Sequence, residues 1–286
     1  MSDRFTAACI QLNSAREVAP NITAASELVR RAREQGAELI MTPEVSDMIE
    51  PNRALRLEKA RRETDHPMLA AFRELARETG AWLLLGSIVV RRDDGDERLA
   101  NRSFLVAPDG AIAARYDKIH MFDVELAGGE SYRESNAFRP GEEAVLAALP
   151  WGVLGMTVCY DLRFPYLYRA LAKAGADFLS IPSAFTVPTG RAHWHVLMRA
   201  RAIETGCFIF APAQWGEHAQ GRKTYGRSLI VAPWGEILAE AEDGTGFVTA
   251  EIDRAKIAEA RRAVPSLTHD RPFAAPEPLT KPQAAE

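Results

Sequence analysis

The chain has 286 residues, of which 47% are hydrophobic and 26% charged, and its formal net charge is −4 at pH 7. This composition is typical of a globular protein, and the length suffices for one large domain. The charges are mixed along the sequence, so we expect no nucleic-acid partner and no binding to an anionic membrane. No apolar run approaches the roughly 18 residues of a membrane span, and the first residues do not resemble a secretory signal. We therefore expect a cytoplasmic protein.

The three cysteines, Cys9, Cys159 and Cys207, are too few and too scattered for a disulfide framework. None of them forms a pair at metal-ligand spacing. His193 and His195 are predicted to open a helix, and their His-Trp-His pattern lacks further ligands at a suitable distance in sequence. We therefore expect no metal site, and each cysteine is considered alone.

Apolar runs that predict strands alternate with amphipathic segments that predict helices. The elements predicted for the first part of the chain are a strand at 5–12, a helix at 21–35, a strand at 37–42, a helix through 72–79 and a strand at 81–90. For the second of these helices, Thr64 or Asp65 is the predicted N-cap, Pro67 lies in the first turn and Gly80 is the predicted C-cap. The alternation indicates an α/β fold.

Two hairpins are predicted farther along, one at Pro108-Asp109-Gly110 and one around Trp234. The elements predicted between them are a strand that ends near Cys159, a helix at 166–174, a strand at 176–183, a helix at 195–205 and a strand at 207–213. QGAELIMTPE aligns with AGADFLSIPS, and RETGAWLLLG aligns with IETGCFIFAP. The chain is therefore predicted to consist of two similar α/β halves, in each of which a helix ends at glycine and a buried strand follows.

Two such halves fit two mixed sheets packed face to face with helices outside, a four-layer α-β-β-α sandwich. The rival fold is a single doubly wound sheet. That fold expects a glycine-rich phosphate loop after the first strand, and the sequence has none there.

Three polar residues that could take part in catalysis stand where predicted strands end. Cys159 follows GVLGMTV, and the residues from Tyr160 to Arg163 are too polar to continue the core, so Cys159 is either a nucleophile or a small core residue. In such a turn the N–H of Tyr160 is free to bind an oxyanion. Glu44 follows ELIMTP in the corresponding position, with a solvated loop acid or helix cap as the alternative. Lys118 lies where another strand leaves the sheet, with a surface lysine as the alternative.

The segments PEVSD around Glu44, YDKIHMFD around Lys118 and CYDLRFP around Cys159, in this order, resemble the Glu-Lys-Cys signature of the nitrilase superfamily of carbon-nitrogen hydrolases. The resemblance runs from about Phe5 to about Pro272. The segment PSAFTVPTGRAHWHVLMRARAIETGCFIFAPAQWG resembles the Nit branch, which contains deaminated-glutathione amidases and omega-amidases. The resemblance implies an α-β-β-α sandwich, a homodimer and no cofactor. A carbon-nitrogen hydrolase domain is predicted at 1–255. The C-terminal extension at 256–286 is charged and then rich in Pro and Ala, so we expect it either to pack on a dimer partner or to be loose.

The resemblance also implies a second glutamate before a Pro-Gly pair. Glu134 in ESNAFRPG fits that place, and Glu125 is the alternative. In the implied chemistry Glu44 accepts the thiol proton, Cys159 attacks an amide carbonyl, and Lys118 with the Tyr160 N–H holds the oxyanion. Ammonia leaves, and water then hydrolyses the thioester. The sequence therefore predicts a hydrolase of linear amides.

We expect the substrate to be a small metabolite that carries a carboxylate, with deaminated glutathione first. The alternatives are 2-oxoglutaramate for an omega-amidase, an N-carbamoyl amino acid, or a binding module with an inert thiol. Arg163 is predicted to bind the substrate carboxylate, unless it forms an ion pair with Asp161 or with another acid. Phe185 and Thr189, in the segment SAFTVPTG, are predicted to line the pocket, unless this segment is a plain loop.

Overall fold

The structure is a computed structural model that describes residues 3–126 and 131–276. Within these residues the strands are β1 (Arg4–Gln11), β2 (Leu39–Met41), β3 (Arg61–Arg62), β4 (Trp82–Arg91), β5 (Ala100–Val106), β6 (Ile112–Asp117), β7 (Asp123–Glu125), β8 (Ser131–Arg133), β9 (Val145–Leu149), β10 (Gly152–Met156), β11 (Phe178–Ser180), β12 (Phe208–Ala211), β13 (Trp215–Glu217), β14 (Lys223–Tyr225), β15 (Leu229–Val231), β16 (Ile237–Glu240) and β17 (Gly246–Asp253). The α-helices of the same residues are α1 (Val18–Glu34), α2 (Arg53–Lys59), α3 (Pro67–Thr79), α4 (Pro165–Lys173), α5 (Val187–Thr205) and α6 (Ala255–Ala263).

Most of the strands form two large mixed sheets with the same internal plan, while β7-β8 and β13-β14 are separate two-stranded sheets. The first has the order β17-β1-β2-β4-β5-β6, with β3 beside β4, and the second has the order β9-β10-β11-β12-β15-β16. In each sheet an antiparallel edge strand is followed by three mutually parallel strands and then by two antiparallel ones. Both predicted hairpins are present, as β5-β6 and β15-β16. The predicted two-half repeat is therefore confirmed by the topology.

The first sheet is buried on both faces because its strands alternate between two hydrophobic clusters. Residues that face the outer helices α1 and α3 include Ala8, Ile10, Ile40, Leu83 and Leu85. Their neighbours in sequence pack instead against the second sheet and include Ala7, Cys9, Leu39, Met41 and Leu84. Helices α4 and α5 pack on the outer side of the second sheet. The predicted four-layer α-β-β-α sandwich is confirmed.

The start of helix α3 differs from the sequence prediction. The N-cap of α3 is His66, and neither Thr64 nor Asp65 caps it, because both lie in the short 3-10 turn Glu63–Asp65. Pro67 occupies the first helical position, where its fixed φ angle and missing N–H are tolerated. The predicted C-cap is confirmed, since Gly80 adopts the left-handed conformation with φ 65°.

Helix α5 begins at Val187, eight residues before the predicted start, with a proline in its first turn. His193 and His195 therefore lie inside the helix and do not open it. The segment SAFTVPTG suggested a loop because it contains glycine and β-branched residues. Gly190 is needed inside the helix because a Cβ there would lie 2.2 Å from the ring of Tyr225.

The three strand ends singled out in the sequence lie at one end of the sandwich. In the first sheet β6 runs antiparallel to β5, which runs antiparallel to β4, so β6 has the same direction as β2 and β4. The residues that follow β2 and β6, Glu44 and Lys118, therefore leave the same edge of the sheet. Strand β10 of the facing sheet delivers Cys159 to them. The sandwich fold therefore brings three residues that are distant in sequence together in one site.

The chain after β17 packs on the rest of the same chain as far as Asp270. Arg169 donates to the carbonyl oxygen of Ser266 at 2.8 Å, and Lys173 Nζ donates to Oδ2 of Asp270 at 2.5 Å. Residues 277–286 of the predicted C-terminal extension lie outside the described residues. The domain boundary after 255 stays a prediction. In the part of the chain that is described, no helix has the length and apolar character needed to cross a membrane.

Candidate active site

Cys159 begins the short 3-10 helix Cys159–Arg163 and has a left-handed backbone conformation, with φ 51°. Its N–H donates to the carbonyl oxygen of Pro182 at 2.9 Å, and the residue is 7% exposed. A non-glycine residue with positive φ is strained, and such strain is concentrated at functional sites. The turn therefore holds the thiol at the floor of a cavity.

Glu44 is held by a comparable strained turn. Val45, which follows it, has φ 47° although it is β-branched, and its N–H donates to Oγ of Ser87 at 2.9 Å. Gly86 of β4 passes so close to β2 that a Cβ there would lie 1.9 Å from the carbonyl oxygen of Thr42. The close approach of these backbones requires glycine and fixes the start of the Glu44 turn.

Lys118 joins the two predicted glutamates. Its Nζ lies 2.8 Å from Oε1 of Glu44, 2.8 Å from Oε2 of Glu134 and 3.0 Å from Oε1 of Glu134. The N–H of Phe122 donates to Oε2 of Glu134 at 2.7 Å. Glu125 is exposed and forms an ion pair with Arg133 instead. Of the two candidates for the second glutamate, the structure therefore brings Glu134 to Lys118.

The charges of this cluster are set by burial and by their mutual contacts. Burial acts to raise the pKa of Glu44, but the Lys118 ammonium and the hydrogen bonds from Cys159 and Lys118 outweigh it and hold this pKa below 4.5. Burial acts to lower the pKa of Lys118, but the carboxylates of Glu134 and Glu44 hold it well above 10.5. Burial and the charge of Glu44 raise the pKa of Cys159 well above 9.0, which Lys118 offsets only in part. At neutral pH the cluster is therefore a carboxylate, an ammonium and a protonated thiol.

Asn101, on β5, is a site residue that the sequence prediction missed. Its Nδ2 donates to Oε1 of Glu44 at 2.9 Å and to Oε1 of Glu134 at 3.3 Å. The residue is 2% exposed, and its Oδ1 is buried without a hydrogen-bond partner. The sequence offered one indication of this role, an amide side chain at the start of a strand, seven residues before the predicted hairpin turn that begins at Pro108. Asn101 bridges the two carboxylates that contact Lys118.

Asp161, two residues after the thiol, braces the nucleophile turn. Its Oδ2 accepts from the N–H of Val158 at 2.8 Å and from the hydroxyl of Tyr116 at 2.7 Å. Its Oδ1 accepts from the N–H of His120 at 3.0 Å and lies 2.7 Å from Nδ1 of the same residue. Arg163 does not pair with Asp161, since the carboxylate is fully committed to these other groups. Among the described residues no other carboxylate lies within 4.0 Å of Arg163, so neither form of the ion-pair alternative is present.

The cluster opens into a cavity of about 770 Å³. Its walls include four residues that the sequence analysis proposed for substrate binding, Tyr160, Arg163, Phe185 and Thr189. The Arg163 guanidinium lies 5.8 Å from the Tyr160 ring centroid and 5.7 Å from that of Phe185, and it contacts Nδ1 of His193 at 3.2 Å. Thr189 is in the first turn of α5, where its hydroxyl contacts that of Thr186. The volume is in the range of about 300–1,000 Å³ that is typical of small-molecule pockets.

The remaining cysteines are placed in the core. Cys9 and Cys207 are fully buried, and burial raises the pKa of each thiol. All three cysteines are free. Among the described residues, no group of three or more His, Cys, Asp or Glu side chains could hold a metal ion.

A sequence model of the family described as carbon-nitrogen hydrolase matches residues 6–262. The chain belongs to the carbon-nitrogen hydrolase family. A human relative named deaminated glutathione amidase is 41% identical over 270 residues, which cover 93% of this chain and 82% of that protein. Both findings support a hydrolase that acts on amides, as the sequence predicted.

Solved structures of the same family share the fold. Nit3 of Saccharomyces cerevisiae, a member of branch 10 of the nitrilase superfamily, is 28% identical with a TM-score of 0.85 and covers 96% of this chain and 98% of its own. A mutant of the amidase from Nesterenkonia sp. AN1 is 26% identical with a TM-score of 0.75 and covers 91% of this chain and 94% of its own. The latter structure shows covalent addition of the acetamide moiety of fluoroacetamide at the active-site cysteine of that amidase. The predicted superfamily and Nit-branch resemblance are confirmed.

Proposed function

We propose that this carbon-nitrogen hydrolase cleaves amides through a thioester on Cys159, with Glu44 as general base and Lys118 as the cation that holds the oxyanion. The observation that carries the proposal is the cluster itself. The buried thiol of Cys159, the carboxylate of Glu44 and the buried Lys118 ammonium, which lies 2.8 Å from that carboxylate, meet at the floor of one cavity. This combination supplies a nucleophile, a base and an electrophilic group within reach of one carbonyl.

In the first half-reaction the thiol proton moves to Glu44 while Sγ attacks the amide carbonyl. The raised pKa of Cys159 means that no preformed thiolate is available at neutral pH, so the base acts during the attack. Lys118 and the N–H of Tyr160, at the start of the 3-10 helix where N–H groups lack partners within the helix, bind the oxyanion. Glu44 then gives its proton to the amide nitrogen, the C–N bond breaks and the amine leaves.

In the second half-reaction Glu44 takes a proton from water, and the resulting hydroxide attacks the thioester. The C–S bond breaks, the thiol recovers its proton from Glu44, and a carboxylic acid is released. Glu134 and Asn101 hold Lys118 and Glu44 in place through hydrogen bonds. The ammonium and the carboxylate therefore stay within reach of the substrate carbonyl. No cofactor takes part in these steps.

We propose deaminated glutathione as the substrate, since this is the compound named in the relative that shares 41% of its residues. Arg163 binds one of its carboxylates, while Phe185 and Thr189 form the walls beside it. Both amide bonds of a glutathione skeleton are secondary, so the leaving group for this substrate is an amine. For a primary amide such as 2-oxoglutaramate, in contrast, the leaving group is ammonia.

The test is hydrolysis of a panel consisting of deaminated glutathione, 2-oxoglutaramate, an N-carbamoyl amino acid and a simple nitrile. Both the acid and the nitrogen product are measured by mass spectrometry, because an ammonia assay alone misses an amine leaving group. Cys159→Ala is the control, and we expect it to lose all turnover. Cys159-dependent hydrolysis of deaminated glutathione supports the proposal. If another member of the panel is hydrolysed faster, deaminated glutathione is not the substrate. If Cys159→Ala retains turnover, Cys159 is not the nucleophile.

We also propose a homodimer located in the cytoplasm. Large apolar side chains that are more than half exposed lie on α5, on the turn between β15 and β16 and after α6, namely Val196, Ile203, Trp234 and Val264. An exposed apolar patch is a common protein interface. Three free cysteines fit a reducing compartment. Light scattering of the purified protein tests the dimer, and Trp234→Asp should shift it towards the monomer.

A further inference from the structure

Several positively charged side chains other than Lys118 line the cavity, and they differ in whether a carboxylate neutralises them. They are Arg56, Arg133, Arg163, Arg222 and Lys223. Arg133 pairs with Glu125, and Lys223 lies 3.3 Å from Glu217. The other three guanidinium groups have no carboxylate within 4.0 Å among the described residues. Cations inside a cavity that have no carboxylate in direct contact indicate an anionic ligand.

Arg222 follows the turn Ala219–Gly221 and precedes β14. Its Nη2 donates to the carbonyl oxygen of Ala184 at 3.3 Å. Its Nε is buried and has no hydrogen-bond partner. A buried donor without a partner costs free energy, and guanidinium groups are suited to binding a carboxylate through two parallel bonds. A ligand in the cavity would bind the outer nitrogens of this guanidinium, of which Nη1 forms no hydrogen bond with the described residues.

Arg56, on α2, is held in a similar way. Its Nε donates to the carbonyl oxygen of Glu50 at 2.8 Å, and its guanidinium lies 5.4 Å from the ring centroid of Phe138. Burial, and then the positive charge of Arg222, lower the pKa of Arg56, and the carboxylates of Glu134, Glu50 and Asp47 offset this only in part. The two guanidinium groups therefore repel each other. Their hydrogen-bond acceptors are backbone carbonyls, which leave the charges in place: those of Glu50 and Pro51 for Arg56, and that of Ala184 for Arg222. An anion bound between them would remove this repulsion.

Arg163 stands apart from this pair. It belongs to the nucleophile turn and contacts Tyr160, Phe185 and His193. We propose that Arg222 and Arg56 form a second anion subsite, which binds a carboxylate of the substrate different from the one at Arg163. The enzyme would then select amides that carry two carboxylates. This specificity rests on the proposed amidase function, whereas the anion subsite itself does not.

The kinetic test uses three forms of deaminated glutathione, which are the diacid and the two analogues with one or the other carboxylate converted to an N-methylamide. Arg222→Gln should raise KM about 10- to 100-fold for the diacid, the usual effect of losing a charged hydrogen-bonded pair. For one of the two analogues KM should rise by the same factor, and for the other it should rise less than about threefold. Arg222→Lys should recover part of the affinity, and the neighbouring cation change Lys223→Gln should leave KM within about twofold. Equal losses on all three substrates overturn the subsite.

A binding experiment separates this inference from the choice of substrate. Calorimetry measures the affinity of Cys159→Ala protein for succinate, glutarate and adipate, with and without Arg222→Gln or Arg56→Gln. We expect the tightest diacid to lose about 10-fold or more with either change and to be unaffected by Lys223→Gln. If deaminated glutathione is not hydrolysed but diacid binding depends on Arg222, the substrate is wrong and the subsite stands. If hydrolysis occurs and neither change alters diacid binding, the subsite is wrong.

Discussion

The hydroxyl of Tyr116 donates to Oδ2 of Asp161 at 2.7 Å and joins β6 of the first sheet to the turn that carries Cys159. Tyr116 is two residues before Lys118, and Asp161 is two residues after Cys159. The bond therefore ties together the backbones that position the ammonium and the thiol. The pKa of Tyr116 is well above 10.0, because of burial and then the Asp161 charge, so its hydroxyl remains the donor.

Tyr116→Phe removes this bond without changing the packing volume. We expect kcat to fall about 10-fold with KM changed less than about threefold, because the thiol and the ammonium lose their fixed separation. The free energy of unfolding should fall by about 1 kcal/mol. Tyr168→Phe is the matched control, since its hydroxyl contacts Oγ1 of Thr157 at 2.7 Å in the same core. A similar loss of stability with unchanged kcat is expected there, and an equal kcat loss in both variants would argue against a positioning role for Tyr116.

Glu44→Gln separates proton transfer from thiol reactivity. We expect turnover to fall about 10²- to 10⁴-fold, because the amide cannot accept the thiol proton. The negative charge of Glu44 helps to raise the pKa of Cys159, so its removal lowers this pKa while Lys118 remains. Alkylation of Cys159 by iodoacetamide at neutral pH, followed by mass spectrometry, should therefore be at least as fast as in the wild type. Equal losses of turnover and alkylation would show that Glu44 acts by holding the turn and not as the base.

The acid limb of the pH profile follows from the same carboxylate. Glu44 must be ionised to act as a base, and its pKa lies below 4.5, so kcat/KM for a neutral primary amide should stay constant until the pH falls below this value. Asn101→Asp places a further negative charge beside Glu44 and removes the Nδ2 donor that lies 2.9 Å from Oε1 of Glu44. Both changes raise the pKa of Glu44. The acid limb should therefore move to higher pH. Asn101→Ala removes only the donor and should move it less. An unchanged limb in Asn101→Asp would mean that another group controls it.

Glu44, Lys118 and Cys159 could be located from the sequence because each stands where a predicted strand ends and because the segments around them resemble the Glu-Lys-Cys signature of the nitrilase superfamily. The two-sheet architecture could be predicted because the Gly-then-strand pattern occurs twice in each half of the chain. Both are local patterns that remain visible without coordinates.

Asn101 and Arg222 could not be located in this way, because their roles depend on contacts between distant segments. Asn101 is 57 residues from Glu44, and its place in the strand gives no indication of which side chain it meets. Arg222 lies in a polar stretch where a surface arginine is the ordinary interpretation. The start of α5 was missed for a related reason, since only packing against Tyr225 shows why Gly190 is tolerated there.

A fourth prediction concerns Glu50, a carboxylate that stabilises the loop beside the cavity. Its side chain is fully buried and accepts from Nε of Arg16 at 2.8 Å, from the N–H of Asn52 at 3.0 Å and from Nζ of Lys59 at 3.1 Å. Burial acts to raise the pKa of Glu50, but these donors outweigh it and lower the pKa to about 2. Ionised Glu50 is therefore favoured more in the folded chain than in the unfolded one.

Glu50→Gln should lower the free energy of unfolding at pH 7 by about 1–2 kcal/mol, less than for a fully enclosed pair because Arg16 and Lys59 keep contact with solvent. Since the pKa of about 2 in the folded chain is below the ordinary 4.5, this stabilisation is present above pH 4.5 and is lost as the pH falls towards 2. Urea unfolding of both proteins from pH 7 to pH 3 should therefore show a shrinking difference. Glu78→Gln, at an exposed pair with Arg30, should cause no measurable change. A difference that stays constant over this range would show that Glu50 stabilises the loop by its shape and not by its charge.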